Sequence, residues 1–271
     1  MWFARGEADL LRRAAPGTTA PLDLASFPLV PYANRIAHGR FRFEGADYQV
    51  PLNFGDHPHS IHGVGWTTPW AIDAQAEDRL ELVHRHEADD QWPWSYAARQ
   101  EAVLDEDGLR ITLTVHNLDA QAMPAGLGFH PYFVKDGATR LGFGAEGLWL
   151  STPDMLPERE VEADALGDWS KPAPVDGDSL IDNAYVGWSG TATISRGDGV
   201  KLVLTGQDAP YLHFYRPPGE QFFCLEPVSH LPDAVNRPAG MEALAPGAKR
   251  SLAMAIAVKV DEALPNAAEI A

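Results

Sequence analysis

The sequence predicts an all-β protein built as an antiparallel β-sandwich. Several segments alternate apolar and polar residues with the period of two that is typical of a half-buried strand, and tight turns join them in pairs. Apolar residues at helical spacing recur only weakly along the chain. The chain also contains 24 glycines and 22 prolines, which favour many turns over long helices.

Hairpins are the elements that the alternation places most directly. Each predicted pair of strands flanks a short turn that contains glycine, and the pairs are 39–43 with 48–52, 98–104 with 109–115, and 191–195 with 200–204. The stretch 151–180 is rich in Pro, Asp and Gly, and we expect it to be an irregular segment that wraps the surface.

A single domain spanning residues 1–271 is the expected organisation. All-β sandwiches commonly reach this length as one unit. Hydrophobic residues make up 45% of the chain, which is enough for a large core. No fixed-period repeat or low-complexity linker interrupts the pattern, so the sequence offers no domain boundary.

The charge and the cysteine count bear on the binding partners and the cellular compartment of the protein. The formal net charge is −17 without any basic run, so nucleic acid and anionic membrane surfaces are unfavourable partners. The one cysteine, Cys224, has no other with which to form an internal disulfide, and residues 1–5 lack the pattern of a signal peptide. We expect a soluble, cytoplasmic protein that is a monomer or a homodimer.

Polar groups suited to proton transfer are concentrated beside aromatic residues. His and Glu are the side chains best matched to acid and base catalysis near neutral pH. Polar side chains of this and related kinds are concentrated in the segments 31–36, 57–63, 128–133 and 224–227. The chain has no phosphate-binding or dinucleotide-binding glycine motif and no G-x-S-x-G motif, so proton transfer without a nucleotide cofactor is the favoured chemistry.

Two of these groups also have structural interpretations that the residues alone leave open. His130 lies between Phe129 and Pro131, where it fits either a hydrogen-bonded core histidine or a group that takes part in proton transfer. Glu226 follows an apolar strand, where a carboxylate is costly unless it is paired or used in catalysis.

A metal site is the third alternative, and the sequence disfavours it. His57, His59 and His62 have spacing that could place imidazoles together, but the first acidic residue after them is Asp73. No carboxylate ligand follows at a suitable distance. Cys224 has apolar neighbours and no basic residue to lower its pKa, so we expect a buried thiol rather than a nucleophile.

The order of several short motifs resembles that of the aldose 1-epimerase, or galactose mutarotase-like, family. The matches run from about Leu10 to about Val258 and their order is more specific than any one of them. They are Asn34-Arg35-Ile36, His62-Gly63, His130-Pro131-Tyr132-Phe133, Asp182-Asn183-Ala184-Tyr185, Leu225-Glu226-Pro227 and Pro232-Asp233-Ala234-Val235-Asn236.

The resemblance implies a β-supersandwich enzyme that interconverts the α and β anomers of free aldohexoses without metal or other cofactor. It implies Glu226 as the general base, His130 as the general acid and His62 as a group assisting at the sugar ring oxygen. The residues that it implies for binding sugar hydroxyls are Asn34, Arg35 and Asp182.

Two further residues bear on the choice of substrate. His213 stands where the family often has a glutamine that hydrogen-bonds the sugar, so we expect it to bind substrate with an altered preference. Trp66 stands where phosphate-specific relatives tend to carry arginine, and an aromatic face suits an unphosphorylated sugar. The alternatives are a hexose-6-phosphate 1-epimerase and a non-catalytic sugar-binding protein on the same fold.

Overall fold

The computed structural model describes residues 3–238, 240–260 and 268–270, and within them the chain is built almost wholly from β-strands. The strands of the first half are β1 (Phe3–Arg5), β2 (Ala8–Asp9), β3 (Pro28–Leu29), β4 (Arg35–Ile36), β5 (Arg40–Phe43), β6 (Ala46–Gln49), β7 (Ser60–Ile61), β8 (Ala71–Gln75), β9 (Arg79–His86), β10 (Tyr96–Leu104), β11 (Gly108–Asn117), β12 (Met123–Pro124) and β13 (Gly128–Phe129).

The strands of the second half are β14 (Tyr132–Val134), β15 (Arg140–Phe143), β16 (Gly147–Ser151), β17 (Pro157–Glu162), β18 (Ala173–Pro174), β19 (Ile181–Val186), β20 (Thr191–Ser195), β21 (Val200–Gln207), β22 (Tyr211–Arg216), β23 (Phe222–Val228), β24 (Ala243–Leu244), β25 (Lys249–Val260) and β26 (Ala268–Ile270). The described helical segments are short 3₁₀ turns, and they are Pro21–Asp23, Ala37–Gly39 and Ala234–Asn236.

Two large antiparallel sheets dominate the architecture, which confirms the predicted fold class. The nine-stranded sheet has the order β18-β15-β20-β21-β25-β11-β10-β9-β8. The eight-stranded sheet has the order β17-β16-β19-β22-β23-β13-β3, with β14 pairing to β23 beside β13. Smaller sheets join β1 to β2 and β26, β4 to β7, β5 to β6, and β12 to β24.

Alternation along each strand decides which face enters the core. On β22, Leu212 and Phe214 are fully buried in a large apolar cluster that also contains Leu113 and Leu252 of the nine-stranded sheet. The two sheets therefore pack face to face, as in a β-sandwich. The residue between the two on β22, His213, points to the opposite face of the eight-stranded sheet.

The predicted hairpins are confirmed by the strand pairing. Leu104 pairs with Leu109 across the acidic turn, and Ser195 pairs with Lys201 across the third turn. In the first hairpin Phe43 pairs with Ala46, so the turn has two residues and not the expected four. Gly45 supplies a left-handed φ of 86° there, which is the conformation that tight hairpin turns require.

The prediction for residues 151–180 is only partly right. The stretch contains β17, which pairs with β16, and β18, which pairs with β15. Trp169 and Val175 are buried in the main core. Because Pro, Asp and Gly dominate the local pattern, these packed residues are hidden from an analysis of periodicity alone.

The outer face of the eight-stranded sheet is covered by loops from the first quarter of the chain. Cys224, Val228 and Tyr132 on this face pack against Phe27 and Trp66 from the loops, forming a second apolar cluster separate from the main core. Polar side chains of the sheet that lie beside this cluster are thereby enclosed between sheet and loops. In the described part of the chain, no helix has the length and apolar character needed to cross a lipid bilayer.

Candidate active site

Glu226 lies at the centre of the enclosed face, with an imidazole on each side. His213 on β22 stands directly opposite it across the strand pair. His130 lies in the short connection between β13 and β14, both of which pair with β23 on its other side. Directly opposite residues of antiparallel strands share a face, so Glu226 and His213 point into the same space.

The carboxylate of Glu226 is buried and in contact with His130. Its Oε1 atom is 3.3 Å from His130 Nε2, and only 2% of the residue is exposed. Its Oε2 atom is also buried, and it has no hydrogen-bond partner among the described residues. A buried carboxylate oxygen without a partner is costly, so Oε2 is a candidate contact for a bound ligand.

Burial changes the proton affinity of both members of this pair. It raises the pKa of Glu226 well above its ordinary value, and the negative charge of Asp182 adds to that effect. Burial also lowers the pKa of His130 to about 3, and the nearby His213 contributes. Since both charged forms are disfavoured, we infer that burial favours a state in which the two side chains share a single proton.

Aromatic rings hold the imidazole of His130 in place. Phe27 stacks on it at a centroid distance of 4.6 Å, and Tyr132 at 4.8 Å. His62 approaches it edge-on at 5.5 Å. Phe27 was missed by the sequence analysis, because a phenylalanine carries no chemical signal and it lies about a hundred residues away from His130 in the chain.

His62 is held by reciprocal hydrogen bonds with Asn34. The backbone N–H of Asn34 donates to His62 Nδ1 at 3.1 Å, and the backbone N–H of His62 donates to the carbonyl of Asn34 at 2.8 Å. Because Nδ1 accepts a hydrogen bond, the proton of the neutral ring lies on Nε2. Burial first, and then the charges of His130 and Arg35, lower the pKa of His62 well below its ordinary value.

The backbone around this contact is unusual for side-chain-bearing residues. Asn34 and His62 have φ angles of 57° and 60°, in the left-handed region. Gly63 follows with φ 74°, and an added Cβ would lie 2.6 Å from Pro31 Cδ. Left-handed residues in close contact tend to be retained where surrounding structure enforces them, as at ligand sites.

Arg35, Asp182 and His213 form a hydrogen-bonded chain next to Glu226. Arg35 Nη2 donates to Asp182 Oδ2 at 2.9 Å, and His213 Nε2 lies 2.5 Å from Asp182 Oδ1. Burial alone would raise the pKa of Asp182, but the bond from His213 and the charge of Arg35 outweigh it and hold that pKa well below its usual range. Asp182 is therefore ionised throughout the neutral range.

Trp66 lies in the site as expected, but its ring is not open. The residue is only 6% exposed and packs against Phe27 and His62, with ring centroids 5.6 Å away in both cases. Its indole Nε1 is buried and has no partner among the described residues. The group with unused bonding capacity is thus the N–H donor, whereas neighbouring side chains enclose the aromatic ring.

Each of the three histidines considered as metal ligands accepts a backbone hydrogen bond at its Nδ1 atom. His57 Nδ1 accepts from the backbone N–H of His59, His59 Nδ1 accepts from that of His38, and His62 Nδ1 is occupied by Asn34. Nowhere in the described ranges do three or more His, Cys, Asp or Glu side chains gather in a way that could hold a metal ion.

Cys224 is fully buried on the same face of β23 as Glu226. Burial raises the pKa of its thiol well above the ordinary value, and the carboxylate of Glu226 adds to the shift. A thiol with a raised pKa is a poor nucleophile. The expectation that this thiol is buried is confirmed.

The sequence that forms this sandwich and its enclosed site matches the model of a known protein family. The model of the aldose 1-epimerase family matches residues 5–257, nearly the whole chain. The chain belongs to the aldose 1-epimerase family. The resemblance seen in the motifs is thereby confirmed, and membership supports a carbohydrate epimerase, which is an isomerase.

Proteins similar to this chain align with nearly its whole length. The uncharacterized protein YphB of Escherichia coli K12 is 35% identical over 269 residues, covering 95% of this chain and 91% of the relative. A crystal structure from Escherichia coli K12, described as that of a candidate aldose 1-epimerase, has a TM-score of 0.87 and 33% identity, over 94% of this chain and 90% of that one.

More distant structures share the fold. The galactose 1-epimerase of Lactobacillus acidophilus NCFM has a TM-score of 0.78 at 16% identity, covering 94% of this chain and 86% of that one. At that identity the likeness concerns architecture alone. It supports the galactose mutarotase-like fold predicted for this chain.

Proposed function

We propose that this protein is an aldose 1-epimerase that interconverts the α and β anomers of free aldohexoses by opening and reclosing the sugar ring. The observation that carries the proposal is the buried Glu226–His130 pair, whose Oε2 atom is without a partner among the described residues. A non-catalytic sugar-binding site has no need to enclose a base and an acid in contact.

The proposed reaction uses the pair in its charge-separated form. Glu226 removes the proton from the C1 hydroxyl, and a C1=O double bond forms as the bond from C1 to the ring oxygen breaks. The electron pair of that bond passes to the ring oxygen, which takes a proton from His130. His62, with its proton on Nε2, donates a hydrogen bond to the same oxygen as charge develops there.

Reclosure restores the starting protonation of the enzyme. Rotation about the C1–C2 bond presents the other face of the aldehyde, and the same steps in reverse give the other anomer. The pair carries one proton before and after ring opening, since the proton gained by Glu226 equals the one lost by His130. Direct contact at 3.3 Å allows that proton to redistribute within the pair.

Substrate hydroxyls on the other side of C1 are expected to meet the chain of Arg35, Asp182 and His213. This follows from the strand order, because His213 and His130 flank Glu226 on opposite sides. With the ring oxygen at His130, the remaining ring carbons extend towards β22 and β19. An ionised carboxylate beside a guanidinium offers both acceptors and donors to vicinal hydroxyls.

Polarimetry on freshly dissolved α-glucose, α-galactose and glucose 6-phosphate tests the function and the substrate class together. We expect kcat/KM for the free hexoses to exceed that for the 6-phosphate at least ~10-fold, because the acidic protein repels a dianion and no cation stands in the segment from His62 to Trp66. The spontaneous rate in the same buffer is subtracted. A preference for the phosphate would indicate the hexose-6-phosphate 1-epimerase, and binding without mutarotation would indicate the sugar-binding protein.

Exhaustive chelation is expected to leave the rate unchanged. Each proton in the steps above passes between the sugar and a side chain, and the Nδ1 atoms of His57 and His59 are engaged with the backbone. The measurement is mutarotation before and after dialysis against EDTA, with added zinc as the control. Loss of activity that zinc restores would contradict this prediction.

A further inference from the structure

The side chain of Asn34 forms hydrogen bonds with the neighbouring site residue Arg35. Its side-chain oxygen Oδ1 accepts two hydrogen bonds from Arg35, one from the backbone N–H at 3.0 Å and one from Nη1 at 3.0 Å. An amide oxygen has two lone pairs, so both are used. The residue is only 5% exposed, and its Nδ2 atom faces His213 Nε2 at 3.4 Å.

The position of Arg35 depends on this contact. Its guanidinium spans from Asn34 Oδ1 to Asp182 Oδ2, and its Nε atom faces His57 Nε2 at 3.4 Å. A planar guanidinium held at both ends has a defined direction, whereas one that has lost its contact with Asn34 is free to turn about the Asp182 carboxylate. Site groups that are displaced by about 1 Å can lose ~10² in rate.

The residue type at position 34 is explained by two requirements together. The φ of 57° is one that asparagine and aspartate adopt more readily than other side-chain-bearing residues. The bonds to Arg35 require an acceptor oxygen one carbon beyond Cβ, which glycine lacks. Asparagine meets both requirements, and aspartate is the only other common residue that does.

We propose that Asn34 is a positioning residue, which orients Arg35 through its Oδ1 atom and His62 through its backbone. The motif led us to expect direct sugar binding by Asn34, and the experiments below separate that role from positioning. The kinetic readout rests on the proposed anomerisation, within which Arg35 would be the sugar ligand.

Two substitutions separate positioning from direct binding. Asn34→Asp keeps an oxygen for Arg35 and tolerates the left-handed φ, but it removes the N–H donor that a sugar contact would use and adds a carboxylate beside the Arg35 guanidinium. Asn34→Gly keeps the backbone N–H for His62 and tolerates the φ, but it removes the oxygen. If Asn34 positions Arg35, the aspartate variant should retain activity and the glycine variant should lose it. If the amide contacts the sugar, both variants should lose activity.

We expect Asn34→Gly to lower kcat/KM by ~10–10², mainly through a higher KM, because a displaced Arg35 weakens sugar binding. Asn34→Asp is expected to stay within ~5-fold of wild type, since the Arg35 guanidinium pairs with the added carboxylate and the lost donor faces only His213. Equal losses in the two variants would overturn the proposal. If the glycine variant does not fold, the aspartate variant decides alone, by keeping or losing the wild-type KM.

A double-mutant cycle with Arg35 provides a second, independent readout. If Asn34 acts through Arg35, the variant Asn34→Gly combined with Arg35→Ala should be less than ~3-fold worse than Arg35→Ala alone. Losses that multiply would show an independent contact and would contradict the positioning role. The matched control is Glu44→Gly, an exposed hairpin residue with φ 46°, which should retain wild-type kinetics.

Calorimetric measurement of galactose binding tests the positioning role of Asn34 separately from the proposed reaction. A wild-type protein that binds galactose but does not catalyse its mutarotation would refute the proposed reaction. The order of affinities, with wild type close to Asn34→Asp and Asn34→Gly weaker, would still support the positioning role. An equal loss of affinity in both variants would refute it.

Discussion

Glu226→Gln is expected to lower kcat by at least ~10² while changing the affinity for sugar by less than ~10-fold. Anomerisation begins only when a group removes the C1 hydroxyl proton, and an amide has no basic site for it at neutral pH. The amide is nearly isosteric with the carboxyl group and retains hydrogen-bonding atoms at both positions. Polarimetry measures kcat, and calorimetric titration with galactose measures affinity.

The matched control is Glu81→Gln. Glu81 is also a buried carboxylate, only 6% exposed, but it lies on β9 of the nine-stranded sheet and pairs with Arg79 and Arg99. Its substitution should leave kcat unchanged. A Glu226→Gln variant with near-normal kcat would exclude Glu226 as the base, and one that neither folds nor binds sugar would support a purely structural ion pair.

His130→Asn is expected to lower kcat/KM by at least ~10² at neutral pH, because the ring oxygen then has no acid to protonate it. It is also expected to move the acid limb of the pH profile upwards. In the wild type, the single proton shared by Glu226 and His130 can reside on the imidazole, which leaves the carboxylate free to act as the base. Activity therefore falls only when the pair takes up a second proton. Burial lowers the pKa of His130 to about 3, which places that limb in the acid range.

The direction of the shift follows from the remaining carboxyl group. Without His130, the one proton resides on Glu226, whose pKa is raised well above its ordinary value by burial and by Asp182. The base then becomes available only as the pH rises through that raised pKa. Activity of the variant should increase with pH across a range where the wild-type rate is flat.

The control for this profile is His84→Asn. His84 is a similarly buried histidine on the other sheet, and burial lowers its pKa to about 4 as well. Its replacement should change neither kcat/KM nor the shape of the profile. A His130→Asn enzyme with the wild-type acid limb would show that His130 does not share the proton of Glu226.

The fold was predictable from local pattern because strand alternation is a local property. Residues 191–195 and 200–204 form the predicted hairpin, since a period of two and a glycine-containing turn need no distant partner. The same reasoning failed for β17, where Pro157 and charged residues obscure the alternation. Pairing with β16 stabilises that strand, and no local signal reports it.

The residues of the candidate site were also predictable as residue types, through motifs that are each contiguous in the chain. Glu226 is conspicuous because it ends an apolar run, and His130 because it lies between an aromatic residue and a proline. Their assembly on one sheet face agrees with the roles that the resemblance implied, and these roles await the experiments above.

The protonation and orientation of these groups depend on contacts between segments far apart in the chain. The tautomer of His62 is set by the backbone of Asn34, the pKa of His130 by its enclosure under Phe27, and the ionisation of Asp182 by Arg35 and His213. Local sequence pattern carries the identity of a side chain and the face of its strand. Hydrogen-bond partners and desolvation arise only when the sheets and loops have packed together, so no pattern in the chain reveals them.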